Sequence, residues 1–174
     1  MSAVKRVAFH AYGPLTWLGL AAAAIAALAD QATKLWLIEG FHLGARRVVP
    51  LAPVLDLRLI WNSGISYGLF QQESPEWQWV LLGVKVLAVV LLWLWLSHAR
   101  TRWSAVSLGL IISGAIGNGI DRVAYGAVAD FLHFHVGDFS WYVFNVADAA
   151  IVVGVAGLLV EAVLGERARP AGEA

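Results

Sequence analysis

Asp130 in Ala129-Asp130-Phe131 and Asp148 in Phe144-Asn145-Val146-Ala147-Asp148 stand at the borders of apolar stretches in a chain that otherwise reads as a membrane protein. Carboxylates at such borders are costly next to lipid and mark functional positions. Two of them brought close together cannot both ionise easily, so one keeps its proton while the other carries charge. An acid and a base paired in this way activate water and polarise a carbonyl, the chemistry of aspartic proteases. Geometry read from spacing alone leaves Asp121 and Asp130 as equal candidates for the second member beside Asp148.

The elements that must position these groups are set by composition. Of 174 residues, 60% are hydrophobic, only 14% are charged and nine are tryptophan, with a mean hydropathy of +0.71. A soluble domain would carry about 25% charge. A formal net charge of zero with no Lys/Arg run supplies no field for nucleic acid. Without cysteine there is no disulfide, no thiolate nucleophile and no Cys-ligated metal. Any reactive group is therefore Asp, Glu, His, Ser or Lys.

Four stretches, approximately 7–29, 77–96, 103–120 and 141–160, are apolar enough to cross a hydrocarbon core, which takes roughly 17–25 residues per helix. The first is read as a retained span, because no small-residue cleavage site follows its long Ala/Leu run. Lys5 and Arg6, Arg100 and Arg102, and Arg167 and Arg169 flank alternate ends and place both termini in the cytoplasm. Arg46, Arg47 and Arg58 fall in the first outer connection against that rule, accompanied by Glu39, Asp56, Glu73 and Glu76. Both long connections, 30–76 and 121–140, then lie outside. In the first, Leu55-Asp56-Leu57-Arg58-Leu59 alternates as a half-buried strand does, punctuated by Pro50, Pro53, Asn62, Gly64 and Gly68. Ser74-Pro75-Glu76 offers a helix start for the second span. The expected architecture is a single all-α membrane domain of four helices, with a small extracytoplasmic β element and a second extracytoplasmic loop.

Polar residues gather at the outer ends of spans one, three and four. Asp30 and Lys34 are one helical turn apart in the favourable order for an ion pair. Asn118, Asp121 and Arg122 share one helix face, where an Arg–carboxylate tie is as plausible a role for Asp121 as catalysis. Asn145 and Asp148 also share a face and must point into the bundle or a wet cavity. A transporter or proton-coupled carrier, with Asp30, Lys34, Asp148 and Lys85 as relay groups, is the alternative function; against it, these charges cluster at one membrane face. His133 and His135 with Asp130 would make a three-ligand metal site, but one His-x-His pair is more often surface decoration. Ser113 and Lys85 would make a Ser/Lys protease, except that Lys85 lies deep in its span.

Taken in order, Asp30-Gln31-x-x-Lys34, Asn62-x-Gly64 with Tyr67-Gly68, Gly117-Asn118-x-x-Asp121-Arg122, Val128-x-Asp130-Phe131 and Phe144-Asn145-x-Ala147-Asp148 resemble the lipoprotein signal peptidases, the signal peptidase II family of membrane aspartic proteases. Each motif is short; their joint order and placement are specific. Two departures stand out: Ser113 replaces the first glycine of the usual Gly-Gly pair, and Lys85 puts a charge inside span two. The resemblance implies that Asp130 and Asp148 are the catalytic dyad and that Asp30, Lys34, Asn62, Gly64, Asn118, Arg122 and Asn145 shape the site. Asp121 becomes structural by comparison, held by Arg122. The implied substrate is a prolipoprotein whose lipobox cysteine already carries diacylglycerol, cut on the N-terminal side of that cysteine at the outer face of the bacterial inner membrane. No metal or cofactor is implied, and the expected form is a monomer in membrane lipid. Trp61, Trp77, Trp79 and Trp141 suit an aromatic belt at the interface.

Overall fold

A computed structural model describes residues 11–64 and 77–167. Helix α1 spans Thr16–Leu35 and passes into a π-helical turn, Trp36–Gly40; α2 spans Trp77–Ser97, α3 Arg102–Tyr125 and α4 Val146–Arg167. All four contain stretches long and apolar enough to cross a membrane. Between α1 and α2 lie strands β1 (Val49–Ala52) and β2 (Leu55–Asn62), and between α3 and α4 lie β3 (Val128–Val136) and β4 (Phe139–Phe144).

The starts of two spans differ from the sequence expectation, and α1, α3 and α4 run on to Leu35, Tyr125 and Arg167, beyond the expected 29, 120 and 160. The first span begins at Thr16, not residue 7, and runs through Asp30 and Lys34. Pro14 disfavours helical geometry at the residue before it, and Thr16 closes the turn by accepting a hydrogen bond from the Gly13 N–H. The fourth span begins at Val146, not residue 141, because Phe139–Phe144 pairs with β3 as an antiparallel strand. The expected helix start at Ser74-Pro75-Glu76 lies outside the described residues, as do Lys5, Arg6, Tyr67, Gly68 and Arg169.

The second connection is not a loop. Its β3–β4 hairpin joins β1 and β2 in one antiparallel sheet of order β1-β2-β3-β4, so the described residues form four long helices plus a four-stranded sheet and are not all-α. The sheet occupies one end of the bundle: β3 follows α3 after Gly126, a left-handed helix cap, and β4 leads directly into α4. At the other end, residues 98–101 join α2 to α3, and the Thr101 side chain caps α3 through the Ser104 N–H.

Helix α3 is the hub, with 61% of its apolar window buried against 17–22% for the other three. Small residues allow the close approach. A Cβ on Gly109 would stand 2.2 Å from the Gly19 carbonyl oxygen of α1, and one on Gly114 would stand 2.3 Å from the Ala147 oxygen of α4. Ala23, Leu96, Ala105, Leu108 and Ile112 form the core between helices, while Leu37, Leu43, Leu57 and Phe131 form a second core beneath the sheet.

Candidate active site

Strand pairing brings the first site residues together. Asn62 is paired with Val128 and Ile60 with Asp130, so Asn62 and Asp130 are diagonal neighbours on one face. The Asn62 Nδ2 donates to Asp130 Oδ2 at 3.1 Å and to the Tyr142 hydroxyl at 3.2 Å. The hairpin does the rest: Leu132 pairs with Phe144, which brings Asp130, two residues before Leu132, beside Asn145 and Val146, the residues that follow Phe144.

Asn145 is the N-cap of α4. Its Oδ1 accepts the Asp148 N–H at 2.9 Å while its own N–H donates to Asp148 Oδ2 at 3.2 Å. This is the reciprocal arrangement of a capping box, with Asp148 at the third helical position. The same Asn145 donates through Nδ2 to Asp130 Oδ1 at 2.7 Å and to Asn118 Oδ1 at 3.0 Å. Asn118 Nδ2 in turn donates to Asp148 Oδ1 at 2.8 Å. One asparagine therefore touches both carboxylates, and Asp130 and Asp148 belong to one hydrogen-bonded constellation.

The two carboxyls differ in environment. Asp130 is buried at 2% exposure, whereas Asp148 is half-buried. Burial pushes the Asp130 carboxyl up and the nearby Asp148 charge pushes it further; hydrogen bonds from Asn62 and Asn145 act in the opposite direction, leaving it at about 7. Asp130 thus holds a proton at pH values where an ordinary aspartate has lost it.

Beneath this constellation lies a buried ion cluster. Lys34 Nζ contacts Asp30 Oδ2 at 2.8 Å and Asp121 Oδ2 at 2.7 Å, and donates to Asn118 Oδ1 at 3.3 Å. The carboxylates are further satisfied by backbone: Ala147 N–H donates to Asp30 Oδ1 at 2.9 Å and Ala129 N–H to Asp121 Oδ2 at 3.1 Å. The first of these ties α1 to the start of α4, the second α3 to β3. Gly117 leaves the room required, since a Cβ there would stand 2.6 Å from Asp30 Oδ2.

Asp121 is held by Lys34, Gln31 and a backbone N–H, not by Arg122 as the motif suggested. Arg122 reaches the Gly64 carbonyl instead, with its Nε and Nη1 buried and unpaired among the described residues. Gly64 is further placed by its N–H donating to Asn62 Oδ1 at 3.0 Å. All nine residues picked out from the sequence, Asp30, Lys34, Asn62, Gly64, Asn118, Arg122, Asp130, Asn145 and Asp148, thus fall in one connected network.

Sequence spacing assigns no role to two further participants. Gln31 Nε2 lies 3.1 Å from each of Asp30 Oδ2, Gly117 O and Asp121 Oδ1; its place inside the Asp30–Lys34 turn was the available signal. Tyr142 falls within the stretch expected as the fourth span, and only the pairing of β4 with β3 reveals its place on a strand. His133 and His135 lie elsewhere: both are odd-numbered on β3 and face away from Asp130. They approach Asp56 Oδ2 at 3.8 and 3.0 Å, and His133 meets Ser140 Oγ at 2.7 Å. The Ser113 hydroxyl is engaged by the Leu110 carbonyl within its own helix.

Residues 22–164 match the family model described as signal peptidase (SPase) II. The chain is 58% identical over 149 residues to a lipoprotein signal peptidase of Methylobacterium sp. (strain 4-46), covering 86% of this chain and 90% of that protein. It is 51% identical over 152 residues to the lipoprotein signal peptidase of Rhodopseudomonas palustris (strain TIE-1), covering 85% and 93%. Its fold is similar to a bacterial membrane enzyme structure obtained by the in meso method at 2.3 Å resolution, with a TM-score of 0.69, 23% identity, and coverage of 90% of this chain and 93% of that one.

Proposed function

The chain belongs to the signal peptidase II family, and from that premise we propose that it is a membrane aspartic endopeptidase in which Asp130 and Asp148 hydrolyse the signal peptide bond of diacylglyceryl-modified prolipoproteins, N-terminal to the lipidated cysteine. The observation that carries this reading is Asn145, which binds Asp130 through its side chain and Asp148 through its backbone N–H.

The division of roles follows from environment. Asp148 is the more accessible of the pair and sits in the first turn of α4, at the positive end of the helix dipole; it is the base. Asp130, protonated below about pH 7, is the acid. Water attacks the scissile carbonyl carbon as its proton passes to Asp148, and the Asp130 proton passes to the carbonyl oxygen. Collapse of the tetrahedral intermediate breaks the C–N bond. The leaving amine takes the proton held by Asp148, and the proton on the second hydroxyl returns to Asp130. No acyl-enzyme forms and the starting protonation states are restored.

Placement supports the same reading. Every site residue lies at the sheet end of the four spans, so a peptide bond can reach water while its attached lipid stays in the bilayer. Charges collected at one end do not mark a path across the membrane, which argues against the carrier alternative. With both termini in the cytoplasm, the site faces the outer side of the bacterial inner membrane. Exposed Trp61, Trp79 and Trp141 suit that interface. The test is cleavage of a diacylglyceryl-modified prolipoprotein by purified Asp130→Asn and Asp148→Asn variants that insert and fold: both lose turnover, and near-normal turnover in either one sinks the dyad.

A further inference from the structure

Lys85 takes no part in the network above. With Leu82 and Val89 of α2 and Ile116, Gly119 and Val123 of α3 it lines a cavity of about 460 Å³, within the size range of small-molecule sites. On each helix the three residues are spaced three and four apart and so share a face. The short 98–101 connection makes α2 and α3 antiparallel neighbours, and the cavity is a groove between them running away from the sheet end. Its floor is Gly119, where an added Cβ would meet only Leu82 Cδ1, at 3.7 Å. Gly119 lies between Asn118 and Asp121, so groove and site share one turn of α3.

Every described residue lining the groove except Lys85 is apolar. Among the described residues the Lys85 ammonium has no hydrogen-bond or ion-pair partner, while the charges of Arg122, Asp148, Lys34 and Asp121 all reach it electrostatically. A helical side chain leans toward the N-terminus of its helix, which for α2 is the sheet end, so this ammonium and its three donors are carried toward the site. A groove of hydrocarbon walls whose one donor cluster, midway along the α2 wall, leans toward the site end suits an occupant that is apolar along its length and offers a hydrogen-bond acceptor at its head.

We propose that this groove receives an acyl chain of the substrate's diacylglyceryl group, with Lys85 donating a hydrogen bond to the ester carbonyl. The proposal rests on the peptidase reading above and adds a lipid-recognition residue to it. In a diacylglyceryl thioether the hydrogen-bond acceptors are the ester oxygens at the glycerol end, while the chains beyond them are pure hydrocarbon, the same sequence of chemistry as the groove.

The test compares two prolipoprotein substrates, one with ester-linked chains and one with ether-linked chains of equal length, which lacks the carbonyls. Wild type prefers the ester in kcat/KM by roughly tenfold, the scale of a net hydrogen bond to a charged group, and the preference sits in KM. Lys85→Met brings the ratio near one, and Lys85→Arg retains a preference. Independently, Gly119→Leu fills the floor and raises KM for long-chain substrate but not for a short-chain analogue. An ester-to-ether ratio identical in wild type and Lys85→Met overturns the proposal and leaves the groove to bilayer lipid alone. Failure of wild type to cleave either substrate overturns the peptidase reading itself, and this proposal with it.

Discussion

Replacing Asp130 with asparagine removes a carboxyl that the fold holds in an unfavourable place, and the consequence is a pH-dependent gain in stability. In the folded protein the Asp130 carboxyl titrates at about 7, against 3.8 for an ordinary aspartate. Between those values the folded state keeps a proton that the unfolded chain has lost, so stability falls as pH rises and the loss is complete above about pH 7. The difference corresponds to roughly 4 kcal/mol. Asp130→Asn has no such proton to lose. Its amide oxygen still accepts from one of Asn62 and Asn145, but its NH2 meets the other donor, which costs about 1–3 kcal/mol. The expected balance at pH 8 is a net gain on the order of 1–3 kcal/mol. Thermal unfolding of the two detergent-solubilised proteins from pH 5 to 8 measures it, and the difference between them isolates Asp130 from every other titrating group. The wild-type midpoint falls relative to the variant as pH rises; parallel curves would refute the reasoning.

Other perturbations separate structural from chemical roles. Asp121→Asn leaves Lys34 buried with one fewer counter-charge, a loss of about 3 kcal/mol, while the fraction that folds keeps turnover; a stable but inactive variant would put Asp121 in the chemistry. Asn145→Ala removes the α4 cap, costing about 1 kcal/mol, and lets both carboxylates drift, lowering kcat by roughly 100-fold; equal losses in kcat and stability with no further drop would make Asn145 a cap only. Treatment with EDTA leaves turnover unchanged, whereas loss of turnover with recovery on added zinc would point to the His133–His135 face.

Much of the site was legible because its residues lie in short helical spacings: Asp30 and Lys34, Asn118 and Arg122, Asn145 and Asp148 each sit one turn apart. The β2 strand announced itself by alternation at Leu55–Leu59. What stayed hidden was long-range or masked by composition. The run Phe139–Phe144 is as apolar as a membrane span, so hydropathy merged β4 with α4 and concealed the hairpin that carries Asp130 to Asn145. Hydropathy does not mark the start of α1, because Gly13-Pro14 interrupts a run that remains apolar. Lys34 as the partner of Asp121 depends on the packing of α1 against α3, and no local rule pairs residues that far apart in sequence. Asp130 could be chosen over Asp121 only through the family motif; the structure places Asp121 in the ion cluster and Asp130 beside Asn145.

The shared proton is tested most directly by the pH dependence of kcat/KM on a lipid-modified prolipoprotein. If Asp130 must be protonated beside an ionised Asp148, the alkaline limb falls roughly tenfold per pH unit above about 7, as a property of the coupled pair. A profile that stays flat up to about pH 9, with enzyme still folded, would contradict the account.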